Sequence, residues 1–195
     1  MNIKDIDELV SLFSELPGIG EKSAERIVYA ILNKDSETRA NMANNIKSLD
    51  KIKNCQDCNN LTLEDLCYVC SDEDRESKIL CIVDDIKNLI LFERNKLFPG
   101  KYFILNGLIN PLQGIDINDL NLSDLDNIIA KNECTELILA LKPSIEGETT
   151  SLYLSKKYND KLKVTKMAQG IPLGAEIEYL DPITLNQAFQ DRKEI

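Results

Sequence analysis

At 195 residues, with 43% hydrophobic and 29% charged content, the chain is long enough to bury a core and has the balance of an ordinary globular protein. It contains no histidine, which excludes Ser–His and Cys–His nucleophilic pairs and any imidazole metal ligand. A net charge of −10 argues for a protein partner over extensive phosphate contact, unless the few cations are segregated from the acids.

The first fifty or so residues read as helices. Ile3, Ile6, Leu9, Val10, Phe13 and Leu16 fall at helical spacing, and Pro17-Gly18-Ile19-Gly20 ends that run in a tight turn. A second helix begins near Glu21 with Ala24, Ile27, Val28 and Ile31 on one face. A third follows Asp35-Ser36, with Met42, Ile46 and Leu49 expected as its inner face. The cysteine segment 55–70 comes next, then a charged stretch from Ser71 to Lys78 that reads as a linker. Beyond it the pattern changes. Ile79 to Val83 is a continuous apolar run of strand length, as a strand buried on both faces of a parallel sheet requires. Helical spacing through Ile86, Leu89 and Phe92 follows, then strands at Tyr102–Leu105, Leu137–Leu141 and Lys163–Met167, with helices at Leu122–Ala130 and Glu146–Tyr158 between them. This alternation predicts an α/β domain with a mostly parallel sheet. Asp181-Pro182 is an N-cap followed by proline at the first helical position, opening a last helix through Leu185, Ala188 and Phe189. No run approaches the roughly 18 apolar residues of a membrane span, and Met1 to Glu8 is too acidic for a secretion signal. A cytoplasmic, membrane-free protein is expected.

Cys55, Cys58, Cys67 and Cys70 form two C-x2-C knuckles separated by eight residues. Each knuckle lets two thiolates converge, and two knuckles complete a tetrahedral site of four sulfurs. Four free buried cysteines or a redox pair are the alternatives; one structural zinc ion is the expectation. Four thiolates leave no open coordination position, so the site does no chemistry. Cys81 and Cys134 read as packing residues.

The turn between the first two helices has a specific logic. Gly18 and Gly20 permit positive φ and close approach of the backbone to a phosphate, and the next helix start offers unpaired N–H donors. Lys22 and Arg26, four apart, add cations to the same place. The segment resembles the helix-hairpin-helix motif of sequence-independent DNA-binding proteins; a plain helical turn with a glycine C-cap is the other reading.

Asp84-Asp85 stand after the first strand of the α/β domain, and Glu146-Gly147-Glu148 after a later one. This pair is similar to the Toprim fold, in which an acid, an Asp-x-Asp and a Glu-Gly-Glu bind Mg2+. Here Lys142 and Ser144 occupy the Asp-x-Asp positions, and a lysine ammonium repels a divalent cation. The order of hairpin, four-cysteine module and Toprim domain without its Asp-x-Asp resembles the RecR family of bacterial recombination mediators. Asn106 to Ile115 is similar to that family's glycine-rich loop, and Ala168 to Asp181 to its Walker-B-like segment. Lys142, Asn88 and Gln169 are departures, standing where the family usually has Asn, Asp and His.

The resemblance implies an α/β architecture of four parts: a helix-hairpin-helix domain over 1–54, a four-cysteine zinc finger over 55–71, a Toprim domain over 79–165, and a Walker-B-like segment with a helix over 166–195. It implies a non-catalytic mediator that works with RecO, and RecF where present, to load RecA onto single-stranded DNA coated by SSB at gaps. Homodimers and ring-like homotetramers are implied, joined through the N-terminal helices and the C-terminal segment. Gly18, Gly20, Lys22 and Arg26 become the DNA contacts, and Asp84, Asp85, Glu146 and Glu148 the face that engages RecO. The N-terminal helical region is close to neutral, so the excess negative charge lies mostly beyond it. A Mg2+-dependent Toprim nuclease or primase, and a zinc-bearing adaptor that binds only protein, remain the competing classes.

Overall fold

A computed structural model describes residues 3–192. The chain divides into two compact units, Met1–Ile52 and Lys53–Ile195. Residues 1–2 and 193–195, the outer ends of the expected N- and C-terminal parts, lie outside the described residues.

The first unit holds α1 (Lys4–Ser14), α2 (Glu21–Leu32) and α3 (Ser36–Ser48). α1 and α2 pack against each other, with Ala24 and Val28 of α2 fully covered. Asp35 caps α3, accepting from the Thr38 N–H at 2.8 Å and from the Thr38 hydroxyl at 2.8 Å. Arg39 reaches back to donate to the carbonyls of Leu32 (2.9 Å) and Lys34 (2.7 Å), which satisfies the end of α2. The expected inner face of α3 is not inner. Met42, Ile46 and Leu49 are 41%, 63% and 58% exposed. Their helical spacing is real, but a unit this small has too little chain to cover a third face.

The second unit opens on a short antiparallel ribbon, β1 (Lys53–Asn54) and β2 (Leu61–Thr62), which anchors the cysteine segment. Then β3 (Glu76–Val83), β4 (Gly100–Ile104), β5 (Glu136–Ala140) and β6 (Lys163–Lys166) form one parallel sheet in the order β4-β3-β5-β6. α4 (Ile86–Arg94), α5 (Leu122–Lys131) and α6 (Ile145–Tyr158) make the crossovers, and α7 (Pro182–Gln190) closes the chain. Leu80 and Ile82 of β3 face α5 and α6, packing with Leu125, Leu154 and Tyr158. Cys81 and Val83 face the other way, against Leu89 of α4 and the cysteine segment. Alternation along β3 therefore buries both of its faces, which is why the strand is a continuous apolar run. Val83 lies level with Ile104 on one side and Ala140 on the other, so these three strands end together.

The cysteine segment covers the free edge of β4. The Ile104 N–H donates to the Cys58 carbonyl at 3.0 Å, and the Asn59 side chain donates to the Ile104 carbonyl at 3.2 Å. Both outward groups of that edge residue are thus satisfied inside the chain, which removes a template for strand addition. Lys101 donates to the Cys70 carbonyl at 3.1 Å, and Lys131 of α5 pairs with Asp57 at 2.7 Å.

The stretch from Ser71 to Lys78 is no linker. Arg75 grips Glu93 of α4 with two hydrogen bonds, at 3.0 and 2.5 Å, and donates to the Gly100 carbonyl at 3.1 Å. β3 begins one residue later, at Glu76. The high charge of the segment misled because one of its cations, Arg75, serves a half-buried network with Glu93 rather than solvent. At the far end, Asp181 caps α7 by accepting from the Ile183 and Thr184 N–H groups at 2.9 and 3.0 Å, with Pro182 in the first turn.

Candidate functional site

The sulfurs of Cys55, Cys58, Cys67 and Cys70 all lie within 4.8 Å of one another, and all four residues are buried. Among the described residues they are the only group of three or more His, Cys, Asp or Glu side chains gathered in this way. Cys58 and Cys67 Sγ are 3.5 Å apart. A tetrahedral centre with metal–sulfur distances of about 2.3 Å places its sulfurs roughly 3.8 Å apart, so the donor set fits. The Cys67 N–H donates to Cys55 Sγ at 3.3 Å, a bond that favours the thiolate. Hydrogen bonds within the cluster pull the Cys55 thiol down and push that of Cys58 up. Cys81 and Cys134 stand apart from this centre: burial pushes their thiols up to about 12 and about 11. They are packing residues.

The hairpin turn joins α1 to α2 through Leu16, whose carbonyl accepts from the Ile19 N–H at 3.1 Å. Gly18 sits at φ 82, where an L side chain is strained. Gly20 does not share that role. It is extended, at φ −84 and ψ 167, and serves as N-cap of α2 with no side chain to cap the helix. A Cβ at either glycine would meet nothing within 4 Å. No side chain caps α2, and the Ser23 and Ala24 N–H groups both donate to the Gly20 carbonyl; the N–H groups of Glu21 and Lys22 take no protein acceptor among the described residues, the arrangement in which a helix start accepts an anion. Lys22 and Arg26 are exposed and in no ion pair among the described residues.

Asp84 and Asp85 leave the end of β3 and line a cleft of about 460 Å³ with Lys87, Asn88, Lys142, Lys166 and Gln169. The carboxylate of Asp84 accepts from the Asn88 side chain at 2.9 Å, and that of Asp85 caps α4 through the Lys87 N–H at 2.9 Å. Glu148 lines a neighbouring cleft of about 730 Å³, between the start of α6 and α7. It is paired with Lys166 and accepts from Gln169 at 3.3 Å; Lys166 holds its carboxyl below the usual range. Glu146 lines neither cleft, and a hydrogen bond with Ser144 lowers its carboxyl. Two residues apart on a helix point to opposite sides, so Glu-Gly-Glu does not bring its acids together. The four acids ring the strand ends without converging on one point. Lys166 and Gln169 were not singled out for this cleft; the signal was their place at and just past the end of the last strand.

Gly147 has a different reason to be glycine. A Cβ there would stand 1.8 Å from the Lys142 carbonyl oxygen, because α6 starts directly against the turn that leaves β5.

A four-stranded parallel sheet with acids around its strand ends, in one chain with a helical hairpin, places the molecule among Toprim-domain proteins. Models of known families divide the chain in the same terms: residues 6–49 match the RecR helix-hairpin-helix, residues 78–168 the Toprim domain, and residues 170–193 the RecR C-terminal region. The recombination protein RecR of Natranaerobius thermophilus is 43% identical over 195 residues, covering 98% of both chains. Those of Hydrogenovibrio crunogenus and Francisella philomiragia are 40% and 39% identical, each over 97% of this chain and over 98% and 95% of their own. The chain belongs to the RecR family of recombination proteins. No helix among the described residues is long and apolar enough to cross a membrane.

Proposed function

We propose that this chain is a non-catalytic, cytoplasmic recombination mediator that binds DNA through the turn at Gly18 and Gly20 and the cations Lys22 and Arg26. In this reading it works with RecO, and with RecF where one is present, to load RecA onto SSB-coated single-stranded DNA at gaps. The observation that carries the reading is the start of α2: an uncapped helix N-terminus beside two exposed cations four residues apart. One zinc ion held by Cys55, Cys58, Cys67 and Cys70 is structural, since four sulfurs fill its coordination shell. Asp84, Asp85, Glu146 and Glu148 form the face for RecO. Lys166 neutralises Glu148, and Lys142 lines the cleft of Asp84 and Asp85; both disfavour a catalytic divalent cation there. The exposed stripe of Met42, Ile46 and Leu49 supports assembly of dimers and ring-like tetramers through the N-terminal helices. Assembly multiplies a weak DNA contact into a useful one.

Reversing both cations, Lys22→Glu with Arg26→Glu, is expected to lower DNA binding by a mixture of the protein with RecO at least tenfold, read by fluorescence anisotropy. Unchanged binding would show that the hairpin is not the DNA contact. Metal-dependent cleavage of DNA that disappears in Asp84→Asn would overturn the non-catalytic reading.

A further inference from the structure

α2 carries more than its two cations. At 100° per residue, Lys22, Arg26 and Tyr29 lie within about 60° of one another on the helix surface. Tyr29 is 54% exposed, whereas Tyr102 and Tyr158 are fully buried in the second unit. Glu21 and Glu25 form the adjoining row, and Tyr29 is one further turn along it. Between α1 and α2 this row opens onto a polar groove of about 410 Å³, lined by Asp7, Ser11, Ser14, Glu21, Glu25 and Tyr29. None of the three carboxylates is in an ion pair among the described residues.

We propose that this groove is a nucleobase site, in which a base of single-stranded DNA stacks on Tyr29 and its exocyclic amine donates to Glu21, Glu25 or Asp7. The inference rests on the hairpin being the DNA contact. Charge then sets the strand's orientation: phosphates are repelled from the acidic row and held over Lys22, Arg26 and the start of α2. That turns the bases toward Tyr29 and the groove. Amino groups on bases, with the ring N–H groups of guanine and thymine, are the neutral donors a DNA strand offers to a carboxylate, and a duplex keeps those edges paired or within its grooves. An aromatic face beside a basic row is the usual means of holding unpaired bases. The site therefore selects single strands over duplex, and cytosine over thymine, because the cytosine amine reaches a carboxylate unobstructed, whereas the one donor of thymine, its N3–H, lies between two carbonyls that carboxylates repel.

The test uses the full-length protein at low ionic strength, with labelled dC and dT oligonucleotides of equal length and fluorescence anisotropy as readout. The dC strand is expected to bind several-fold tighter than dT. Tyr29→Ala should weaken dC binding about tenfold, the worth of one stacked base, while Tyr29→Phe retains it. Glu21→Gln with Glu25→Gln should raise affinity for dT and erase the preference for dC. Sedimentation of each variant checks that assembly is unaltered, so that a loss cannot come from fewer hairpins per particle. Equal binding of dC and dT, wild-type affinity in Tyr29→Ala, or no measurable dC binding overturns the base site. Lys22→Glu with Arg26→Glu is run alongside. If it leaves dC and dT binding unchanged, the hairpin reading fails; if it weakens both while Tyr29→Ala does not, only the base site fails.

Discussion

Replacing Cys58 with serine will abolish the cooperative unfolding transition of the whole second unit, not of the cysteine segment alone. The four sulfurs belong to one apolar cluster with Cys81, Val83, Tyr102 and Ile104 of the sheet, and Cys58 is wholly buried within it. A structural zinc ion contributes about 10–16 kcal/mol in small modules, comparable with the entire stability of a domain, about 5–15 kcal/mol. Losing a ligand also releases the Cys58 carbonyl and the Asn59 side chain from Ile104, exposing the edge of β4. The variant should show no zinc by native mass spectrometry, no thermal transition in near-ultraviolet circular dichroism, and a tendency to aggregate. A melting temperature within a few degrees of the parent would mean that the centre is dispensable. Cys81→Ala, in the same cluster but outside the centre, should cost only about 1 kcal/mol.

Gly147→Ala is the second large effect. One methyl group would be forced to within 1.8 Å of the Lys142 carbonyl, a backbone atom that cannot rotate away. Relief requires moving the start of α6 off β5, at a cost of about 3 kcal/mol or more. In a chain of this length that corresponds to a fall in melting temperature of roughly 10 °C. Gly20→Ala is the control: its φ is −84 and nothing lies within 4 Å of its Cβ. It should cost only the loss of a glycine N-cap, less than about 1 kcal/mol, and melt within about 4 °C of the parent. Comparable losses at the two glycines would contradict the packing argument.

These two sites divide differently between sequence and structure. The cysteine centre was legible, because C-x2-C knuckles encode ligand convergence in local spacing. Its burial against the sheet was not, since nothing in residues 55–70 names the strand they cover. The Glu-Gly-Glu was legible as a Toprim resemblance, but the glycine's role depends on Lys142, which only the packing of α6 on the turn after β5 brings against it. The hairpin turn was read correctly as a turn and partly wrongly in mechanism: only Gly18 uses positive φ. Gly20 is extended and stands at the N-cap of α2 with no side chain to cap it.

Periodicity and local chemistry were enough for the element order, the parallel sheet, the cap at Asp181 and the grouping of the four cysteines. All of these were read from patterns within single segments or from the order of those segments along the chain. Only the tertiary structure could decide which faces are covered. It left the apolar stripe of α3 bare, turned an expected linker into the Arg75–Glu93 lock, and spread the strand-end acids among lysines instead of gathering them. The physical reason is that a helical or strand period states that a face is apolar, or that an acid lies at a strand end. It does not state which distant segment meets it, and that is fixed by packing between residues far apart in the chain.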